Sequence, residues 1–236
     1  MKGLKMEKIY QVERGGSVNG RQKEESFAKG LNFYKLFWVF FIGSIIGVIV
    51  ETLFCLATQF RIESRKGLLY GPFNPVYGFG AVVMTVCLHW LEKKRDLWIF
   101  LGGMVLGGGF EYLCSLVQEL VFGTVSWDYT GSPFSFGGRT SLMYCFFWGI
   151  LGLLWVKELY PRMSRLIERI PNHVGKTLTW VCVLLMVIDI ALSGMAVSRY
   201  SARQEGIPAE TNVQEWIDRY YPDDLMQVIY PNMIKK

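Results

Sequence analysis

Two carboxylates stand in this sequence where an apolar helix should carry none. "GSIIGVIVE" ends on Glu51 and "GGMVLGGGFE" ends on Glu111, so Gly43, Gly47 and Glu51 share a spacing of four with Gly103, Gly107 and Glu111. Residues four apart lie along one helical face, so each acid belongs to a glycine stripe. Such stripes let helices approach closely in lipid. The carboxylate therefore points into a helix interface, where exposure to hydrocarbon, worth about 3 kcal/mol on insertion scales, is avoided. Asp189, in "VLLMVIDIALSG", is a third acid of this kind. A carboxylate in that setting needs a counter-charge, a hydrogen-bond donor or a proton. The chemistry open to it is binding of a cationic or polar group, or acid/base work. The competing reading is structural, with the acids locking the helices together.

The elements that must carry these acids are long apolar blocks. Five of them, at about 34–58, 75–91, 97–122, 139–156 and 176–198, are the length of a bilayer crossing. The first is too long for a cleaved signal peptide and follows a polar segment. Lys and Arg favour one orientation. With the N-terminus in the cytoplasm, 16 of the 25 basic residues fall inside: those of the tail through Lys35, then Lys93, Lys94, Arg95, Lys157, Arg162, Arg165, Arg169 and Lys176. The expected fold is an all-α integral membrane protein with five transmembrane helices, N-in and C-out. A flexible cytoplasmic tail covers 1–33, the membrane domain 34–198, and a small extracytoplasmic helical appendage 199–236. In the appendage, Thr211 and Gln214 form a capping-box pattern, and Pro222 and Pro231 end two short helices. The net charge of +5 follows from topology and points to no nucleic acid.

The motif recurs within a larger repeat. Each glycine-acid helix is followed by a turn-rich loop, "KGLLYGPFNPVYGFG" and "SWDYTGSPFSFGGR", and then by another apolar helix. Units at about 36–91 and 97–156 read as parallel copies of one helix hairpin. Counted from the cytoplasmic ends, Glu51, Glu111 and Asp189 lie at one depth, roughly 20 Å into a ~30 Å core. The loops add Tyr70, Asn74, Tyr77, Trp127, Asp128, Tyr129 and Arg139. The expected binding site is thus Glu51, Glu111 and Asp189 with Arg139, Asp128, Tyr70, Asn74 and Trp127, in the outer half of the membrane. Arg139 is the nearest obvious cation, and Asp128 could equally hold a turn. Between the fourth and fifth blocks, Leu159, Met163, Leu166, Ile167 and Ile170 face away from Arg162, Arg165 and Arg169. That pattern fits an amphipathic helix on the cytoplasmic leaflet, or one that touches a cytoplasmic partner.

Other chemistries are not indicated. The five cysteines lie in apolar blocks without a C-x-x-C pair, His89 and His173 are far apart, and no metal site is expected. No G-x-x-x-x-G-K-[ST] or H-E-x-x-H motif occurs, so the chain holds no ATPase of its own and no catalytic residues are assigned.

The stretches "GVIVETLF", "GLLYGPFNPVYGFGA", "GGGFEYL", "WDYTGSPFSFGGR", "FFWGILG" and "YYPDDLMQVIYPNM" together resemble the CmpB-type ABC-transporter permease family, also called Putative ABC-transporter type IV. The family shares a domain with a group of small animal transmembrane proteins. Ser135-Phe136-Gly137-Gly138 departs from the Asn-rich turn expected before Arg139. The resemblance implies a permease of the plasma membrane that uses ATP only through a separate ATPase, for which the cytoplasmic face near Arg162–Arg169 is the candidate contact. The lipid bilayer is the other partner, and a homodimer stays open. A membrane enzyme acting on a lipid or lipid-linked substrate at the outer leaflet, and a non-catalytic membrane scaffold or sensor, are the alternative readings.

Overall fold

The computed structural model describes residues 25–235. Residues 1–24 of the expected tail lie outside the described residues. Residues 25–32 are no tail: Phe27 and Ala28 are buried, and the Phe27 amide donates to Asn172 at 2.7 Å.

Helix α1 (Phe33–Gln59) starts at Asn32, whose side chain caps the Lys35 amide. Helix α2 (Pro75–Leu88) is capped by Asn74 and has proline at its first position, where no amide is needed. It tightens into a 3-10 turn through Leu91. Helix α3 (Asp96–Phe122) ends on Gly123 in the left-handed conformation. Helix α4 (Leu142–Leu154) passes through a π-helical turn at Trp155–Leu159 into α5 (Tyr160–Glu168). Helix α6 (Asn172–Gln204) is the longest, at about 50 Å. Helices α7 (Asn212–Tyr220) and α8 (Asp223–Ile229) follow, α7 opening with the Thr211–Gln214 capping box.

Four helical stretches are long and apolar enough to cross a membrane: 33–58, 96–122, 142–168 and 172–204. The apolar stretch 75–91 is shorter, about 25 Å against a ~30 Å hydrocarbon core. A second difference concerns the basic amphipathic helix. It is no separate surface element but the continuation of α4. Its apolar face, Met163 and Ile167, is covered by protein, in one core with Phe27, Val39, Leu88, Leu91, Ile99 and Trp155. Only Leu166 of that face is left open, beside the exposed Arg162, Arg165 and Arg169. The wholly buried Lys35 closes this end, giving its charge to Glu168 at 2.5 Å and a further bond to Ser164.

Glycine governs the pairing of α1 with α2 and of α3 with α4. A side chain on Gly43 would meet Ala81 of α2 at 2.8 Å, and one on Gly103 would meet the Trp148 carbonyl of α4 at 2.9 Å. Gly78 and Gly149 answer from the other side, against Phe40 and Phe100. At the end of the bundle that carries the acids, two short antiparallel ribbons form. One pairs β1 (Thr124–Val125) with β4 (Ile234–Lys235), and the other pairs β2 (Ser135–Phe136) with β3 (Thr140–Ser141). Gly137 and Gly138, both at positive φ, make the turn of the second ribbon. They do what asparagines would do there, since Asn and Gly are the residues that best tolerate this region.

Helices α7 and α8 fold back on α6. Ile217, Tyr221, Met226 and Ile229 pack with Ala196 and Leu69. Arg199 binds Asp218 at 2.7 Å, and Arg203 bridges Asp218 and Asp223, the latter at 2.6 Å. These guanidinium groups, Arg199 foremost, hold the Asp218 carboxyl below its ordinary range.

Candidate functional site

The glycine before each acid makes a slot for an aromatic ring from the partner helix. The Tyr77 ring of α2 lies directly over Gly47, where any side chain would collide with it. Its hydroxyl then reaches one turn along α1 and donates to Glu51. In the second pair the Trp148 ring of α4 lies over Gly107 in the same way, and its indole lies near Glu111. Tyr77 and Trp148 each immediately precede a glycine, Gly78 and Gly149, that lets the two backbones come together. The Gly-x-x-x-Glu spacing is thus a seat for an aromatic ring with an acceptor for its polar tip.

The remaining partners differ. Glu51 faces a cation, the Arg65 guanidinium, at 3.5 Å; Arg65 also holds Glu63 at 3.2 Å. Among the described residues Glu111, almost fully buried, accepts from neutral donors, Thr140 Oγ1 at 2.6 Å and the Tyr129 hydroxyl at 3.1 Å, with no cation paired to it. Burial, and then the Glu111 charge, raise the Tyr129 phenol far above its ordinary range, so it stays a neutral donor. Tyr129 also stacks on Tyr144 at 4.1 Å.

The other candidate residues go to different places. Arg139, expected beside the acids, pairs with Glu119 at 2.7 Å, reaches Ser115 at 3.4 Å and lies over the Tyr112 ring. Glu111, Ser115 and Glu119 share one stripe of α3, so Arg139 sits farther along it and leaves Glu111 to its neutral donors. Trp127 donates to the Arg139 carbonyl at 2.8 Å and steadies that loop. Asp128 accepts from the Thr130 amide at 2.9 Å and from its hydroxyl, an Asx-type turn. Asn74 caps α2 and donates to the Arg65 carbonyl at 3.1 Å, which places Arg65 over Glu51. Asp189 and Tyr70 come together in a second knot. The carboxylate accepts from the Tyr70 amide and from Ser193, each at 3.2 Å. Tyr70 in turn shares a hydrogen bond with Tyr221 at the end of α7, at 2.9 Å. Asp189 thus ties the first loop and the C-terminal helices to α6.

Sequence reasoning passed over Arg65, Thr140, Trp148 and Glu119 as partners of this site. One signal was available: an aromatic residue directly before a packing glycine in each following helix, "YG" and "WG". Among the described residues no three His, Cys, Asp or Glu side chains cluster as a metal site.

Four helices long and apolar enough to cross a membrane, joined through glycine faces that carry acids, fit a membrane component. The chain belongs to the family described as Putative ABC-transporter type IV, whose model matches residues 38–194, a range that takes in Glu51, Glu111 and Asp189. No curated protein and no solved structure matches it.

Proposed function

We propose that this chain is the permease-like subunit of an ABC-type transporter, with Glu51 and Glu111 as its polar site in the outer half of the bilayer. The observation that carries this reading is the repeated device of glycine slot, aromatic ring and carboxylate. A slot that only locked two helices would need no charge, and an ion in this setting costs several kcal/mol to bury. Glu111, which among the described residues has donors and no cation, is the better placed of the two to receive a cationic or polar substrate group. Arg65 is the counter-ion of Glu51, and Arg139 and Asp128 shape the loop above Glu111.

The topology that goes with this reading has five crossings, N-in and C-out, with 75–91 as the short one. The two helix pairs are parallel copies. Support comes from matched contacts: Gly47 with Tyr77 and Gly107 with Trp148, Phe40 with Gly78 and Phe100 with Gly149. ATP is used through a separate ATPase, and the exposed Arg162, Arg165 and Arg169 at the opposite end offer its contact. Affinity purification in gentle detergent tests this. The expected result is a stoichiometric ATPase in the eluate. Purification with lipid alone would overturn the transporter reading.

A further inference from the structure

Among the described residues, two that are not glycine hold a left-handed backbone, Phe60 (φ 54°) and Phe134 (φ 54°). A bulky side chain is a steric outlier there, where glycine sits without strain. Both rings are also bare, with 87% and 75% of their surface exposed. In water, neither the backbone strain nor the apolar exposure would be offset. Phe60 closes α1 and Phe134 precedes α4, so both belong to the acid-bearing end. Helix α7, at the same end, repeats the pattern. Val213, Trp216 and Tyr220 form one stripe and are 59%, 44% and 56% exposed, while Ile217 is buried in the cluster with Ala196 of α6.

We propose that Phe60, Phe134 and the Val213–Trp216–Tyr220 stripe are a collar that seats this end of the protein in the headgroup layer of the bilayer. Three observations favour lipid as the occupant. The exposed apolar surface of α1, through Leu53, Phe54 and Leu56, leads into Phe60. On α6, the exposed Met195 adjoins Ala196, against which α7 is packed, so α7 lies where the lipid-facing surface of α6 ends. Trp and Tyr, with an apolar body and a polar edge, suit the boundary between hydrocarbon and water. The outward Glu215 and Arg219 of α7 give the stripe a polar neighbour, as an interfacial helix requires. The left-handed phenylalanines are then retained because their rings have lipid to enter. The inference needs only a membrane-spanning chain and holds whether or not the protein transports.

The test uses the full chain with fluorotryptophan in place of its eight tryptophans, reconstituted in phosphatidylcholine vesicles. The Trp216 fluorine resonance is the one missing from Trp216→Phe, with Trp216→Tyr as a second assignment. A nitroxide placed high on the lipid acyl chain is expected to broaden that signal more strongly than a water-soluble gadolinium chelate on both sides does. Loss to the chelate, with the signal intact beside the nitroxide, overturns the proposal and marks the stripe as a surface for a soluble partner.

Discussion

Glu51 and Glu111 stand at the same place in the same motif, yet among the described residues only Glu51 is paired with a cation. Around Glu51 the loop is held by Asn74, which caps α2 and at the same time binds the backbone of Arg65. Around Glu111 the loop turns through Gly137 and Gly138, and Arg139 is carried past the acid to Glu119. The helix pair decides where a carboxylate sits, and the loop decides whether its charge is compensated. On the proposed function the two sites divide the work, one self-neutralised and one left to meet a substrate group.

The seats themselves should break first. Gly47→Ala and Gly107→Ala place a methyl group inside the Tyr77 and Trp148 rings, and each should lose about 1–3 kcal/mol by thermal melting in detergent. Gly109→Ala meets nothing within 4 Å. In the same assay it should be neutral or gain up to about 1 kcal/mol.

The two arginines separate the sites next. Arg65→Met strips Glu51 of its cation, whereas Arg139→Met leaves every donor on Glu111 in place. On the proposed function, ATP hydrolysis by the complex with the ATPase should fall several-fold more in the first variant, as expected when a partly buried charge loses its partner. Equal effects would mean that the compensation of Glu51 has no functional weight.

Thr140→Val removes one of the two hydrogen-bond donors of Glu111 and should cost about 1 kcal/mol, read in the same melting experiment. The smallest effect lies away from both acids. Asp218, held by Arg199 and Arg203, titrates below its ordinary value in the folded protein. Its contribution is complete above the unfolded pKa, near 3.8, and is lost as pH falls through the lower folded value. Protease accessibility of α7 and α8 should therefore rise only at strongly acid pH, and Asp218→Asn should lessen that pH dependence.

Much of this architecture is legible in the amino-acid order. Apolar length marks the long helices, Thr211 with Gln214 marks the start of α7, and Pro222 and Pro231 bound α8. The glycine stripes put both glutamates inside helix interfaces. The identities of their partners are not legible, because Tyr77, Trp148 and Thr140 arrive from other elements and only packing brings them there. The same holds for Arg139. Its nearness in sequence to the second loop suggested the acids, but the ribbon turn sets its reach, and Glu119 lies on the same stripe two turns beyond Glu111. Likewise Met163 and Ile167 have the spacing of a lipid-facing stripe, and only the packed residues 25–32 and α1 show that protein covers them.

The most direct measurement compares Glu51→Gln and Glu111→Gln with the parent protein, by thermal melting and by ATP hydrolysis of the purified complex. The account predicts that both variants stay folded, since amides can keep the hydrogen bonds of Tyr77, Tyr129 and Thr140, and that turnover is lost, more completely in Glu111→Gln. If both variants unfold, or fold and keep full turnover, the acids are locks between helices and the proposed polar site is contradicted.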